Sequence, residues 1–94
     1  MMYTKKICEI LYDLYGYNIT LTPKTNLMYD LEMDSLEFSF VIIDIERCFK
    51  IPALPIRDIE RRALTVERLA KKVEKAIITQ QRQGAALRLK QKTK

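Results

Sequence analysis

Histidine and tryptophan are both absent from this 94-residue chain, which has only two cysteines, two glycines and three prolines. Without an imidazole there is no Ser-His-Asp or Cys-His nucleophile, no histidine metal ligand, and no side chain whose ordinary pKa lies near neutrality. Most hydrolase and zinc readings are excluded on that ground. Cys8 and Cys48 lie far apart, form no Cys-x-x-Cys, and belong to a chain without a signal-peptide core. They point to a reducing cytoplasm and to thiols acting as small buried apolar groups. No apolar run approaches the ~20 residues of a membrane span, so a soluble cytoplasmic protein is expected. The composition, 48% hydrophobic and 31% charged, is that of a folded chain, neither collagen-like nor disordered. A chain this short has interior for a single core.

What is present is unevenly placed. The formal charge of +5 resides wholly in Arg82, Arg88, Lys90, Lys92 and Lys94, since residues 1–81 carry 12 basic and 12 acidic side chains. Within the neutral part, residues 30–46 hold Asp30, Glu32, Asp34, Glu37, Asp44 and Glu46 and no base. Residues 57–75 reverse this, with seven basic side chains against four acidic ones. The domain is therefore polarised along its sequence, and residues 81–94 form a basic tail that either extends the last helix or is disordered.

Periodicity predicts three principal helices and one short one. Ile7, Ile10, Leu11 and Leu14 make an apolar stripe on a first helix, with Gly16 supplying a left-handed cap. From Tyr17 to Met33 the pattern fails. Asn18, Thr20, Thr22, Pro23, Thr25 and Asn26 favour turns, so a long loop is expected, pinned to the core by Ile19, Leu21, Leu27 and Leu31. Asp34 and Glu37 fit a capping box that opens a second helix running to Phe49. Phe38, Ile42, Ile45 and Phe49 line its core face with Val41 and Cys48 beside them, while Leu36, Phe40 and Ile43 point to a second face. Pro52 and Pro55 break the chain, and a short helix is expected from about Pro55 to Arg62 with Pro55 in its first position. Thr65 caps a last helix striped by Val66, Leu69, Val73 and Ala76 or Ile77, and Gly84 marks its expected break. The fold class is all-α, a small bundle, with residues 1–80 as the domain.

The chemistry-bearing stretch is Asp30-Leu31-Glu32-Met33-Asp34-Ser35-Leu36. Ser35 falls in the first turn of the most apolar helix, where unpaired backbone N–H groups and the positive end of the helix dipole suit a phosphate ester. A plain cap is the alternative, since Asp and Ser are preferred at any helix start. Asp30, Glu32 and Asp34 have the alternate spacing of an EF-hand loop, but its sixth position is Ser35 instead of Gly and its twelfth is Val41 instead of Glu. No metal site is assigned. A nucleophilic enzyme built on Ser35 lacks a histidine partner and is left only a Ser-Lys arrangement.

Asp30-Leu31-x-x-Asp34-Ser35-Leu36 resembles the prosthetic-group site of acyl carrier proteins. The likeness extends over about residues 3–78, through Glu46-x-x-Phe49, Ile51-Pro52 and Leu64-Thr65-Val66, in the family's order and approximate spacing. It implies a four-segment helical bundle and a carrier, not an enzyme. Ser35 would be the hydroxyl to which a phosphopantetheinyl transferase attaches 4′-phosphopantetheine from coenzyme A, with Asp34 and Leu36 flanking it. Acyl groups would ride on the arm's thiol as thioesters, for fatty-acid, polyketide or related lipid synthesis. The partners implied are acyl-activating enzymes, acyltransferases or ketosynthases, docking on Glu37, Asp44, Glu46, Arg57 and Arg61. Phe38, Val41, Ile42, Ile45, Leu69 and Val73 would line an acyl pocket, or serve as core alone. A monomer is expected.

The chain also departs from the family pattern. Glu32 stands where the family usually has Gly, Phe40 stands where a typical bacterial fatty-acid carrier is acidic, and Arg47 interrupts the distal acidic patch. The chain is shorter than usual between Phe49 and Ile51, and Arg57, Arg61 and Arg62 make the third segment basic. Since charge at an interface rim governs partner choice and association rate, these departures imply a specialised carrier. A peptidyl or aminoacyl carrier fits the same residues. The rival from another class is a non-enzymatic basic module that meets nucleic acid or anionic membrane through the tail. The lack of aromatic residues from 50 to 94 and of any nucleic-acid motif argues against specific nucleic-acid binding.

Overall fold

A computed structural model describes the backbone of residues 2–92 and the side chains of residues 3–84. Four helices follow in order: α1 (Met2–Tyr15), α2 (Ser35–Phe49), α3 (Asp58–Arg61) and α4 (Val66–Lys92). Among the described residues there is no strand, only an isolated antiparallel bridge between Asn26 and Thr65. The chain is thus an all-α bundle in which α1 packs against both α2 and α4, and the long loop joins α1 to α2.

The core is contributed by α1, α2, α4 and the connecting loops, with no buried residue from α3. Ile7 and Leu11 of α1, Phe38, Val41 and Ile45 of α2, and Val66, Leu69, Ala70 and Val73 of α4 are buried. The α4 stripe lies where its spacing predicts, with Ala76 and Ile77 half-buried at its end. On α1 the stripe is displaced. Leu14 is 48% exposed, whereas Tyr3 and Tyr15 pack against the core on the line through Ile7 and Leu11. The i, i+4 row thus continues through the two tyrosines and leaves Leu14 outside it. Gly16 takes φ +86° and donates its N–H to the Tyr12 carbonyl at 2.8 Å, the left-handed cap expected of it.

Cys48, expected to be buried, is exposed. Phe49, one position on, packs against the core and sets its ring edge-on to Tyr3 at 5.8 Å, so the last turn of α2 turns its sulfur outward. Lys50 then ends the helix at φ +55°, its N–H and that of Ile51 returning to the carbonyls of Arg47 and Glu46. This is a Schellman closure with lysine where glycine is usual.

The third helix is shorter than expected. It is one turn, Asp58–Arg61, and Pro55 lies outside it. The preceding stretch is pinned in non-helical form because Ile51 and Leu54 are buried and Ile56 packs on the core. A longer helix would pull these three off the core they cover. Gly84, the expected break in α4, does not end it. A lone glycine costs only about 1 kcal/mol in a helix, and the Ala85-Ala86-Leu87 that follows is strongly helix-forming. The tail's backbone therefore extends α4 to Lys92. The side chains of Arg88, Lys90 and Lys92, and all of Lys94, lie outside the described residues. Within the described helices, none is long and apolar enough to cross a membrane.

Candidate functional site

The site is assembled at the start of α2. Asp34 is the N-cap, in extended conformation, and its Oδ1 accepts the Glu37 N–H at 2.7 Å. Half of the expected capping box is therefore present. The Glu37 carboxylate is used differently, accepting the Tyr15 hydroxyl at 3.2 Å and so tying the end of α1 to the first turn of α2. Burial, the Glu37 charge, that hydrogen bond and the Asp34 charge all push the Tyr15 hydroxyl above its usual pKa. Ser35 is the first residue of α2 and is exposed. Among the described residues its carbonyl accepts the Ser39 hydroxyl, while its own hydroxyl is engaged by none. Leu36 is 65% exposed and Phe40 57%, and with Ile43 they make an outward apolar strip on α2.

The loop that presents Ser35 is ordered by Asn26. Its Oδ1 accepts the N–H groups of Met28 and Tyr29, its backbone N–H donates to Asp30 Oδ2 at 2.7 Å, and its Nδ2 donates to the Arg62 carbonyl at 2.7 Å. The bridge to α4 reinforces the same join, with Leu27 N–H on the Leu64 carbonyl and Val66 N–H on the Thr25 carbonyl. Leu27 and Met33 are buried and Leu21, Met28 and Leu31 pack beside them, whereas Ile19 is only half-buried. Asp30, at the head of the motif, is thereby a loop-folding residue. Glu32, two positions before Asp34, has φ +52°. This is the left-handed backbone that glycine adopts without strain, so the loop keeps a glycine-like geometry with glutamate in place.

The third helix faces this loop. Glu60 anchors it, pairing with Arg57 Nε at 2.9 Å and with Lys72 Nζ of α4. Those two bonds hold its carboxyl down at about 2. Arg61 places its guanidinium 5.5 Å from the centre of the Phe38 ring, in cation–π contact, and leads its Nε to Asp58 Oδ1 at 3.5 Å. At that length the pairing is ionic with no hydrogen bond, and the Arg61 Nε is buried without an acceptor among the described residues. A cleft of about 300 Å³ opens here, lined by Met28, Ser35, Asp58, Arg61 and Arg62. On the other side of Arg61 an apolar crevice of about 160 Å³ is lined by Phe38, Ile42, Ile43, Leu54 and Ile56. Two larger grooves, of about 400 Å³ each, lie along α4 and do not touch Ser35.

The structure therefore gathers only part of the expected site. Of the six candidate pocket residues, Phe38 and Ile42 reach the crevice, while Val41, Ile45, Leu69 and Val73 sit in the packed core. Among the candidate docking residues, Glu46 is turned inward, its Oε2 accepting the Leu54 N–H at 2.8 Å. Arg61 is half-buried on Phe38, Arg57 is exposed but paired with Glu60, Glu37 is exposed, and Asp44 is half-buried. Asn26, Arg62 and Tyr15 were not singled out by sequence reasoning. An Asn among turn-forming residues hints at the first, Arg62 was noted only as part of the basic third segment, and Tyr15 carries no distinguishing signal. Within the described residues no group of three carboxylates or thiols could hold a metal ion. Comparison with protein-family models, with curated proteins and with solved structures finds no match for this chain.

Proposed function

We propose that the protein is an acyl carrier whose Ser35 hydroxyl bears 4′-phosphopantetheine. The observation that carries this reading is an exposed serine hydroxyl, without a partner among the described residues, at the first position of α2, fixed there by the Asp34 cap and by the Asn26-ordered loop. The residues fit the group. Among the described residues nothing competes for Ser35 Oγ, and the cleft beside it gives the phosphodiester room.

Attachment forms the bond from Ser35 Oγ to phosphorus and breaks the pyrophosphate bond of coenzyme A, releasing the adenosine bisphosphate. The transferase supplies the base that takes the serine proton, which is how a histidine-free chain enters acyl chemistry. The bound arm supplies a terminal thiol that carries acyl groups as thioesters. This chain's own part is to present the serine and to offer partners the strip Leu36, Phe40 and Ile43 with Glu37 beside it. At Phe40 that strip is apolar where a typical bacterial fatty-acid carrier is acidic. The reading is therefore of a specialised carrier, whose partner enzymes dock through apolar contact more than through charge.

Incubation with coenzyme A and a promiscuous phosphopantetheinyl transferase is expected to add the mass of one arm, and Ser35→Ala to abolish the addition. An unchanged mass with several transferases would rule the reading out. Loading by acyl-activating against aminoacyl-activating enzymes separates the acyl from the aminoacyl variant.

A further inference from the structure

Residues 30–46 hold six acidic side chains and no base, so the sequence surrounds Ser35 with charge that repels an anion. The fold offsets this in part by bringing two bases to the serine. Asp34 already accepts the Glu37 N–H, and Glu37 already accepts the Tyr15 hydroxyl. Across the cleft stand Arg61 and Arg62, with Asp58 as the one carboxylate among the lining residues. Among the lining residues alone, two guanidinium groups against one carboxylate leave one positive charge in excess, with Asp34 and Glu37 outside the cleft's lining. A phosphodiester is a monoanion, the charge that balances it. The Arg61 Nε is buried toward Asp58, 3.5 Å away, and the terminal guanidinium nitrogens make no hydrogen bond among the described residues, which leaves their N–H groups for a phosphate oxygen.

We infer that Arg61 and Arg62 hold the phosphodiester of the arm, folding its attachment point back against α3 instead of leaving it free in solvent. The inference rests on the reading of Ser35 as the attachment residue. The chemistry recognised is the pair of non-bridging oxygens of a phosphodiester, which guanidinium meets with paired N–H donors. Arg61 belongs to both the cleft and the crevice that starts at Phe38. A phosphate held at Arg61 therefore starts the arm at the mouth of the crevice. Arg57, expected to act with Arg61 in docking, does not line the cleft and is committed to Glu60.

The test is phosphorus NMR on the arm-bearing protein, with its mass checked first. The wild-type signal is expected to be broadened by the slow tumbling of the whole domain. It should narrow and shift in Arg61→Gln, Arg62→Gln and the double variant, and stay unchanged in Arg57→Gln. Because Arg61 packs on Phe38, the dispersion of the amide spectrum is read for each variant. Arg62→Gln removes a side chain with no packing role, and a salt titration of the wild type needs no variant. Salt should narrow the wild-type line as the ion pairs are screened. A wild-type line already as narrow as that of the double variant, and insensitive to salt, would overturn the inference while leaving the carrier reading intact. A wild-type protein that accepts no arm would overturn both.

Discussion

Glu32 shows how one residue can carry strain for the site. Its φ of +52° puts a Cβ against the following carbonyl, a conformation that costs a non-glycine residue ~1–2 kcal/mol, part of which is offset because glutamate loses less backbone freedom on folding than glycine does. Glu32→Gly is accordingly expected to raise stability by up to about 1 kcal/mol, and the β-branched Glu32→Val to lower it by about 1–2 kcal/mol. The urea midpoint of each variant measures this. A Glu32→Gly protein less stable than the wild type would mean that the glutamate side chain contributes an interaction larger than the strain. Asn26 poses the opposite case. Its side chain satisfies three backbone groups, on Met28, Tyr29 and Arg62, that no other side chain reaches among the described residues. Asn26→Ala is expected to cost about 1–3 kcal/mol, and Asn26→Asp a comparable amount, since it keeps the two bonds to Oδ1 but sets a carboxylate oxygen against the Arg62 carbonyl and a second charge beside Asp30. Both would be read by the same denaturation curve.

At the scale of the element, α3 is too short to be held by its own hydrogen bonds, because a single turn does not repay the cost of its nucleation. It is held by Glu60, through Arg57 within the turn and Lys72 across to α4. The pH dependence follows from the direction of the shift. The Glu60 carboxyl lies at about 2 in the folded protein against an ordinary value of 4.5. The unfolded chain therefore binds the proton first as pH falls. The stabilising contribution is complete above about pH 4.5 and disappears between there and about pH 2. Glu60→Gln should flatten that limb of the stability curve and loosen α3, seen as faster amide exchange at Ala63 and Leu64, whose N–H groups bond within this turn. An acid limb identical in the variant would remove Glu60 from the account. Elements of this kind are where sequence reasoning stops. The α2 and α4 stripes were legible because burial imposes a period, and Ser35 because a cap and an apolar run have a fixed order. Arg61 was legible only as charge. Its place over Phe38 depends on how far the 51–57 stretch lets α3 approach α2, a three-dimensional distance with no local signature. Leu14 and Cys48 were misplaced for the same reason, since a stripe's phase is settled by the aromatic partners it finds.

For the whole molecule, the question is what the basic extension does for a bundle whose described core lies outside it. Among the described side chains the last fully buried core residue of α4 is Val73 and the last packed on the core is Ile77, yet the helix runs on to Lys92 and draws the molecule out to 55 × 26 × 19 Å. The net charge of +5 belongs to residues 82–94, and the remainder is neutral. Removing those residues takes away no core contact among the described side chains, so stability should change by no more than about 0.5 kcal/mol, as a denaturant midpoint would record. Under the proposed function the shortened chain should still accept the arm on Ser35, because the serine, its cap and its loop all lie outside the deleted segment. If the protein instead acts through its charge, the same deletion abolishes binding to anionic vesicles or nucleic acid and the loss tracks salt. The two readings therefore separate on one variant. Retained modification with unchanged stability assigns the domain its role without the extension, whereas loss of modification in a stably folded protein would place the transferase contact on the charged helix and displace the start of α2 as the recognised surface.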